Sequence, residues 1–179
     1  MKIFKNFKTG AYMSIACSAM IALPAYSQQQ TLSDPEIASI AVTANQVDVN
    51  AGELAKSKTK SKEVENFANT MINDHKAVIA QAVALVTKLK VTPKDNAVSK
   101  KLLADAGKTK KMLSAKSGKA FDKAYIDNEV AYHKAVTSTV ETVLIPQTQN
   151  QELKELLQNV LPALRTHLEH AEMLQKNYK

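Results

Sequence analysis

The chain has 179 residues and a formal net charge of +7, with one cysteine and no tryptophan. That length supports one domain with a real core, and a single cysteine excludes an internal disulfide framework. Almost all of the basic excess is lysine, Arg165 being the only arginine, so the bidentate contacts of nucleic-acid recognition have no basis here.

Lys2, Lys5 and Lys8 precede an apolar run from Ala11 to Ala25, closed by the small residues Ala25 and Ser27. Residues 1–27 therefore read as a secretory signal peptide, cleaved after Ser27. Ser14, Ser18 and Pro24 interrupt the run, which is shorter than the roughly 20 apolar residues of a membrane-spanning helix. Cys17 is no lipid-attachment site, because Ser14 stands where that motif requires a branched apolar residue. The expected mature domain, residues 28–179, is exported to the periplasm or cell envelope, contains no cysteine and carries a net charge of +4.

Helix signals then follow one another, and no segment alternates as a strand does. The cluster Ser33-Asp34-Pro35-Glu36 starts a first helix that runs to about Ala55. Lys56 to Lys62 is a polar connector, and a second helix follows over roughly Ser61 to Lys90, stopped by Val91-Thr92-Pro93. A shorter lysine-rich helix is expected from about Asp95 to Ala115 and is broken by Ser117-Gly118. The fourth helix spans about Lys119 to Leu144, ended by Pro146, and the fifth about Asn150 to Asn177. Pro162 inside the fifth predicts a bend just before His167. Two antiparallel hairpins joined by a crossover that contains a short helix define an all-α, ferritin-like four-helix bundle.

Few catalytic signatures are available. Three scattered glycines of the mature chain, Gly52, Gly107 and Gly118, cannot cradle phosphates. There is no nucleophile elbow and no His-Glu-x-x-His, so nothing in the chain marks an enzyme. Histidine placement is more informative. On the second helix the core stripe Val64, Ala68, Met71, His75, Val78, Ala82 puts His75 where an apolar residue belongs. The stripe Leu157, Val160, Leu164, His167, Ala171 does the same for His167. The fourth helix offers a seam through Ile126, Glu129, His133 and Val136, or a rival through Phe121, Tyr125 and Tyr132. Each of the three histidines lies near mid-helix, which places them at one height in an antiparallel bundle. The first helix adds Asp48 near that height, with Val47 as its competitor for the inward position.

The segments Met71-Ile72-Asn73-Asp74-His75, Tyr125 through His133, and Leu161 through Leu168 resemble the signature segments of the ferritin-like family catalogued as domain of unknown function 4142. The resemblance runs from about residue 34 to 176 and implies an exported bacterial protein without a settled activity. It also implies that Asp48 occupies the place of a family glutamate, and that His75, His133 and His167 match recurrent family histidines.

Di-iron proteins of the wider superfamily use Glu-x-x-His pairs, but Ile72, Val130 and Leu164 stand three residues before the histidines here. The set Asp48, His75, Glu129, His133 and His167 instead suits a single zinc, iron or copper ion. The alternative is a non-catalytic interaction or stress-protection module whose buried histidines only fix helix register. Lys56, Lys58, Lys60 and Lys62 form a second candidate surface, for attachment to membrane or envelope polyanions.

Overall fold

The computed structural model describes residues 31–178, so the signal-peptide expectation lies outside the described residues. Five long helices form: α1 (Asp34–Lys58), α2 (Lys62–Lys88), α3 (Ala97–Ser114), α4 (Gly118–Thr139) and α5 (Gln151–Gln175). No strand occurs among the described residues, as the sequence predicts.

Capping chemistry starts the helices. The Glu36 carboxylate accepts from both the amide and the hydroxyl of Ser33. Asn96 accepts from the amides of Val98 and Ser99, Ser61 from Val64, and Asn150 from Leu153, each satisfying a donor that a helix start leaves unpaired. Gly118 takes a φ of 53°, a left-handed conformation that turns the chain from α3 into α4.

Contacts at the helix ends give each helix its direction. The Asn96 side chain donates to the carbonyl of Glu36, pinning the start of α3 to the start of α1, while Lys58 donates to the carbonyl of Ser114 at their other ends. Helices α1 and α3 are therefore parallel. Thr59, just after α1, donates to Asp122 near the start of α4, so α4 descends antiparallel to α1. Asp34 accepts from the amides of Gln149 and Asn150, which seats the start of α5 beside the start of α1. The order is up-down for α1 and α2, up for the crossing α3, then down-up for α4 and α5. Around the bundle, α1 packs on α2, α2 on α5, α5 on α4 and α4 on α1, with α3 laid over α1 and α4.

The fourth helix ends differently from its expectation. Val140–Leu144 form a π-helical turn in which the Ile145 amide donates five residues back to Val140, and Ile145–Gln147 add a last α turn. Pro146 is thus accommodated inside the closing turn, where its missing N–H is least costly. Helix α5 is continuous through Pro162.

Two apolar clusters fill the interior. One holds Phe67, Met71, Phe121, Tyr125 and Leu174, toward the α1–α2 turn. The other holds Ile37, Ile40, Leu144, Leu157 and Leu164, at the opposite end. Between them lies a polar layer.

Candidate metal centre

His75, His133 and His167 come from α2, α4 and α5 and are buried to 4%, 0% and 5% exposure. Their ring centroids stand 5.6, 5.2 and 5.5 Å apart, close to an equilateral triangle. Asp48 of α1, 1% exposed, completes the layer, and the Val47 alternative is not realised. Its Oδ2 lies 3.4 Å from His75 Nε2 and 3.5 Å from His133 Nε2. Two donors each about 2.1 Å from a tetrahedral ion stand about 3.4 Å apart, so these spacings suit shared ligation.

The outward nitrogen of every ring is tied to an oxygen. His75 Nδ1 meets Asn45 Oδ1 at 2.7 Å, and Asn45 Nδ2 donates to the carbonyl of Ala41, which fixes the amide so that its oxygen faces the ring. His133 Nδ1 donates to the Glu129 carbonyl at 3.0 Å. His167 Nε2 donates to Asp74 Oδ2 at 2.9 Å. Each contact puts the proton on the tied nitrogen and leaves a lone pair on the other. His75 Nε2, His133 Nε2 and His167 Nδ1 are buried without a hydrogen-bond partner, as are both carboxylate oxygens of Asp48. Native interiors pair such atoms almost without exception, because an orphan forfeits its hydration. Three rings that bring unpaired nitrogens together, each anchored from behind, with the unpaired Asp48 carboxylate against two of them, have the build of a metal site with its supports.

Electrostatics agree with neutral, ligand-ready imidazoles at His75 and His133. Burial, reinforced by His133 and His167, pushes the His75 imidazole down to about 3, and burial takes His133 down to about 4. Burial also raises the Asp48 carboxyl to about 7. The Glu129 carboxyl is raised well above its ordinary range by burial and by the neighbouring Asp48.

Glu129 is 1% exposed, with Oε2 unpaired and 3.6 Å from His133 Nδ1. It groups with Asp48 and His133, whereas the three histidines form a group of their own. The layer thus brings together all five residues singled out from the sequence, with Glu129 behind His133 rather than in the histidine triangle. On α4 the seam through Ile126, Glu129 and His133 faces inward, and Phe121 and Tyr125 are buried too, while Tyr132 is half-buried.

Sequence reading missed the residues that support the rings. Asn45 lies one turn before Asp48, and Asp74, half-exposed, adjoins His75 yet serves the ring on α5. Tyr132 donates to the carbonyl of Ala44 at 2.8 Å, closing the α1–α4 seam beside His133. These contacts join different helices, so no spacing within one helix signals them. His170 stands off the layer, edge-on to Phe67 with centroids 5.1 Å apart. Of the connector lysines, Lys58 lies over the Phe121 ring and Lys62 pairs with Glu65, while Lys56 and Lys60 are exposed.

Among the described residues, no helix is long and apolar enough to cross a membrane. No curated protein matches the sequence. A solved structure, CopM in the Cu(II)-bound form, shares the helical fold, with a TM-score of 0.64 and 15% identity, over 84% of this chain and 100% of that one. A family model matches residues 21–174, and the chain belongs to that family, described as Domain of unknown function (DUF4142).

Proposed function

We propose that this is an exported, ferritin-like bundle protein that binds one metal ion through His75 Nε2, His133 Nε2, His167 Nδ1 and Asp48. The observation that carries the reading is the set of three buried ring nitrogens without partners, each opposite a nitrogen anchored to oxygen. A layer that served only to fix helix register would pair its imidazoles with one another or with Asp48 at hydrogen-bond distance. The up-down-down-up course of α1, α2, α4 and α5, with α3 as the crossover, supports the ferritin-like description.

Three imidazoles and one carboxylate suit zinc, copper(II) or iron(II), and the Cu(II)-bound form of the structural neighbour CopM makes copper the first ion to try. Bound there, the ion would supply a Lewis-acidic or redox-active centre. The chain itself contributes three rings held in one tautomer and a carboxylate that gives up its proton on binding. Nothing in the layer supplies an activated nucleophile, so the reading is one of metal binding rather than of a named reaction.

The test is metal content after purification from the native compartment, followed by titration of metal-stripped protein with Cu(II), Zn(II) and Fe(II). One ion per chain is expected, with His75→Ala and His167→Ala each losing it. Protein that is isolated metal-free, and whose melting temperature ignores all three ions, would leave the structural-layer reading standing instead.

A further inference from the structure

The two ends of the bundle carry their charges differently. At the end where α1, α3 and α5 begin, lysines face carboxylates: Lys88 pairs with Glu152 and Lys94 with Glu36. At the other end the α1–α2 turn, the α3–α4 turn and the last residues of α5 meet, since Lys58 donates to the carbonyl of Ser114, Thr59 to Asp122 and Asn177 to Glu63. All three segments are rich in lysine. Lys58 is engaged by Ser114 and the Phe121 ring, and Lys62 by Glu65. Lys56, Lys60, Lys116, Lys119 and Lys176 are exposed and make no ion pair among the described residues. The acidic side chains nearby are already occupied, Asp122 buried against Thr59, Glu65 by Lys62 and Glu63 by Asn177.

Helix stability does not account for this charge. Cations are favourable at a helix C-terminus and unfavourable at an N-terminus, where the free amides leave partial positive charge. Lys56 and Lys176, at the ends of α1 and α5, follow that rule. Lys60, Lys116 and Lys119 break it, because they flank the starts of α2 and α4, and α4 has no acidic residue in its first turn. These three ammonium groups are held against local helix preference and without a carboxylate, so their counter-charge comes from outside the chain.

We propose that this end of the bundle docks on an anionic phospholipid surface, with Lys56, Lys60, Lys116 and Lys119 among its phosphate groups. Helices packed about 10 Å apart give a bundle end about 20 Å across, a blunt face that meets a plane of headgroups rather than enclosing one anion. Lysine suits such a diffuse layer, each ammonium strengthening attachment about fivefold, whereas a defined phosphate site favours the paired contacts of arginine. Met112 and Met173, 42% and 59% exposed, stand in the last turns of α3 and α5 at this same end. They offer apolar side chains that a lipid surface takes up and a soluble polyanion does not. No helix among the described residues is able to span a bilayer, so the contact is peripheral, and it is independent of any ion in the polar layer.

The experiment measures co-sedimentation of protein purified from its native compartment with vesicles of phosphatidylcholine, alone or mixed with phosphatidylglycerol. Binding is expected to the mixed vesicles only, and should weaken about tenfold or more between about 0.05 and 0.5 M salt, as screened charges require. Lys60→Glu, Lys116→Glu and Lys119→Glu combined should weaken it about tenfold or more. That variant should melt no lower than the parent, because acidic residues suit helix starts. Lys90→Glu, Lys100→Glu and Lys154→Glu combined make the same change of net charge at the opposite end, and should leave binding within about threefold. If circular dichroism shows the first variant misfolded, the same three lysines changed to glutamine decide. Equal loss in both variants, no loss in the first, or failure to bind mixed vesicles in low salt overturns the inference. Capture of soluble polyphosphate without vesicle binding, abolished by the first variant, would overturn it too and assign the face to an anionic polymer.

Discussion

Asp48 carries the sharpest conflict between stability and use. Its carboxyl is raised by burial to about 7, whereas in the unfolded chain it ionises near 3.8. Below about pH 4 both states hold the proton and the residue costs nothing. As pH rises through 4 to 7 the unfolded state ionises first, so folding stability is progressively lost, and above 7 the full penalty is present. Asp48→Asn should therefore raise the melting temperature of metal-stripped protein at about pH 8, change it little at about pH 4, and abolish metal-induced stabilisation; equal shifts at both pH values would contradict this account. The outer anchors make a different prediction. Asn45→Ala and Asp74→Ala remove no ligand but free the rings of His75 and His167, and each should weaken metal affinity about 10- to 100-fold at unchanged stoichiometry. Titration with a competing chelator measures it. All five layer residues were legible in the sequence, because a histidine or carboxylate on an apolar helical stripe stands out by periodicity alone. Their anchors were not, since Asn45, Asp74 and Tyr132 act on neighbouring helices and the helix-to-helix register is set only by packing.

At the level of elements, the α1–α2 contact depends on a missing side chain. A Cβ added at Gly52 would stand 2.9 Å from Ile72 Cγ1 and 3.2 Å from the Ala68 carbonyl oxygen, closer than packed atoms tolerate. Gly52→Val should cost about 1–3 kcal/mol by overpacking, seen as a lower urea midpoint, with Ile72→Ala in the same chain restoring part of it. Helix count and approximate boundaries were readable from caps and periodicity, since Ser33, Ser61, Asn96 and Asn150 all sit where a helix begins. The π turn at Val140–Leu144 was not, because it reflects how the chain accommodates Pro146 while keeping Val140 and Leu144 buried. Burial on α1 is also broader than one inward stripe. Ala38, Ser39, Ile40 and Val49 are covered as well, because α1 is packed by α2, α3 and α4 together.

For the molecule as a whole, the four proposed ligands come from four helices, so an ion bound by them would tie the two hairpins to each other. At an ion concentration about 100-fold above the dissociation constant, binding should add about 2.7 kcal/mol to folding stability. For a domain of this size that is a rise in melting temperature of roughly 5–10 °C, checked by calorimetry with and without ion. The same tie should leave α3 least affected, as it contributes no ligand. Tyr132, hydrogen-bonded to Ala44, lies edge-on to His133 with ring centroids 6.1 Å apart, and the chain contains no tryptophan. Its ultraviolet emission is therefore pure tyrosine, and Tyr132 stands beside the proposed ion. Cu(II), which has an open d shell, should dim that emission at one equivalent, whereas Zn(II), with a filled shell, should leave it bright. On the metal reading, the protein would carry its own optical gauge of which ion enters, readable in a cuvette without any label.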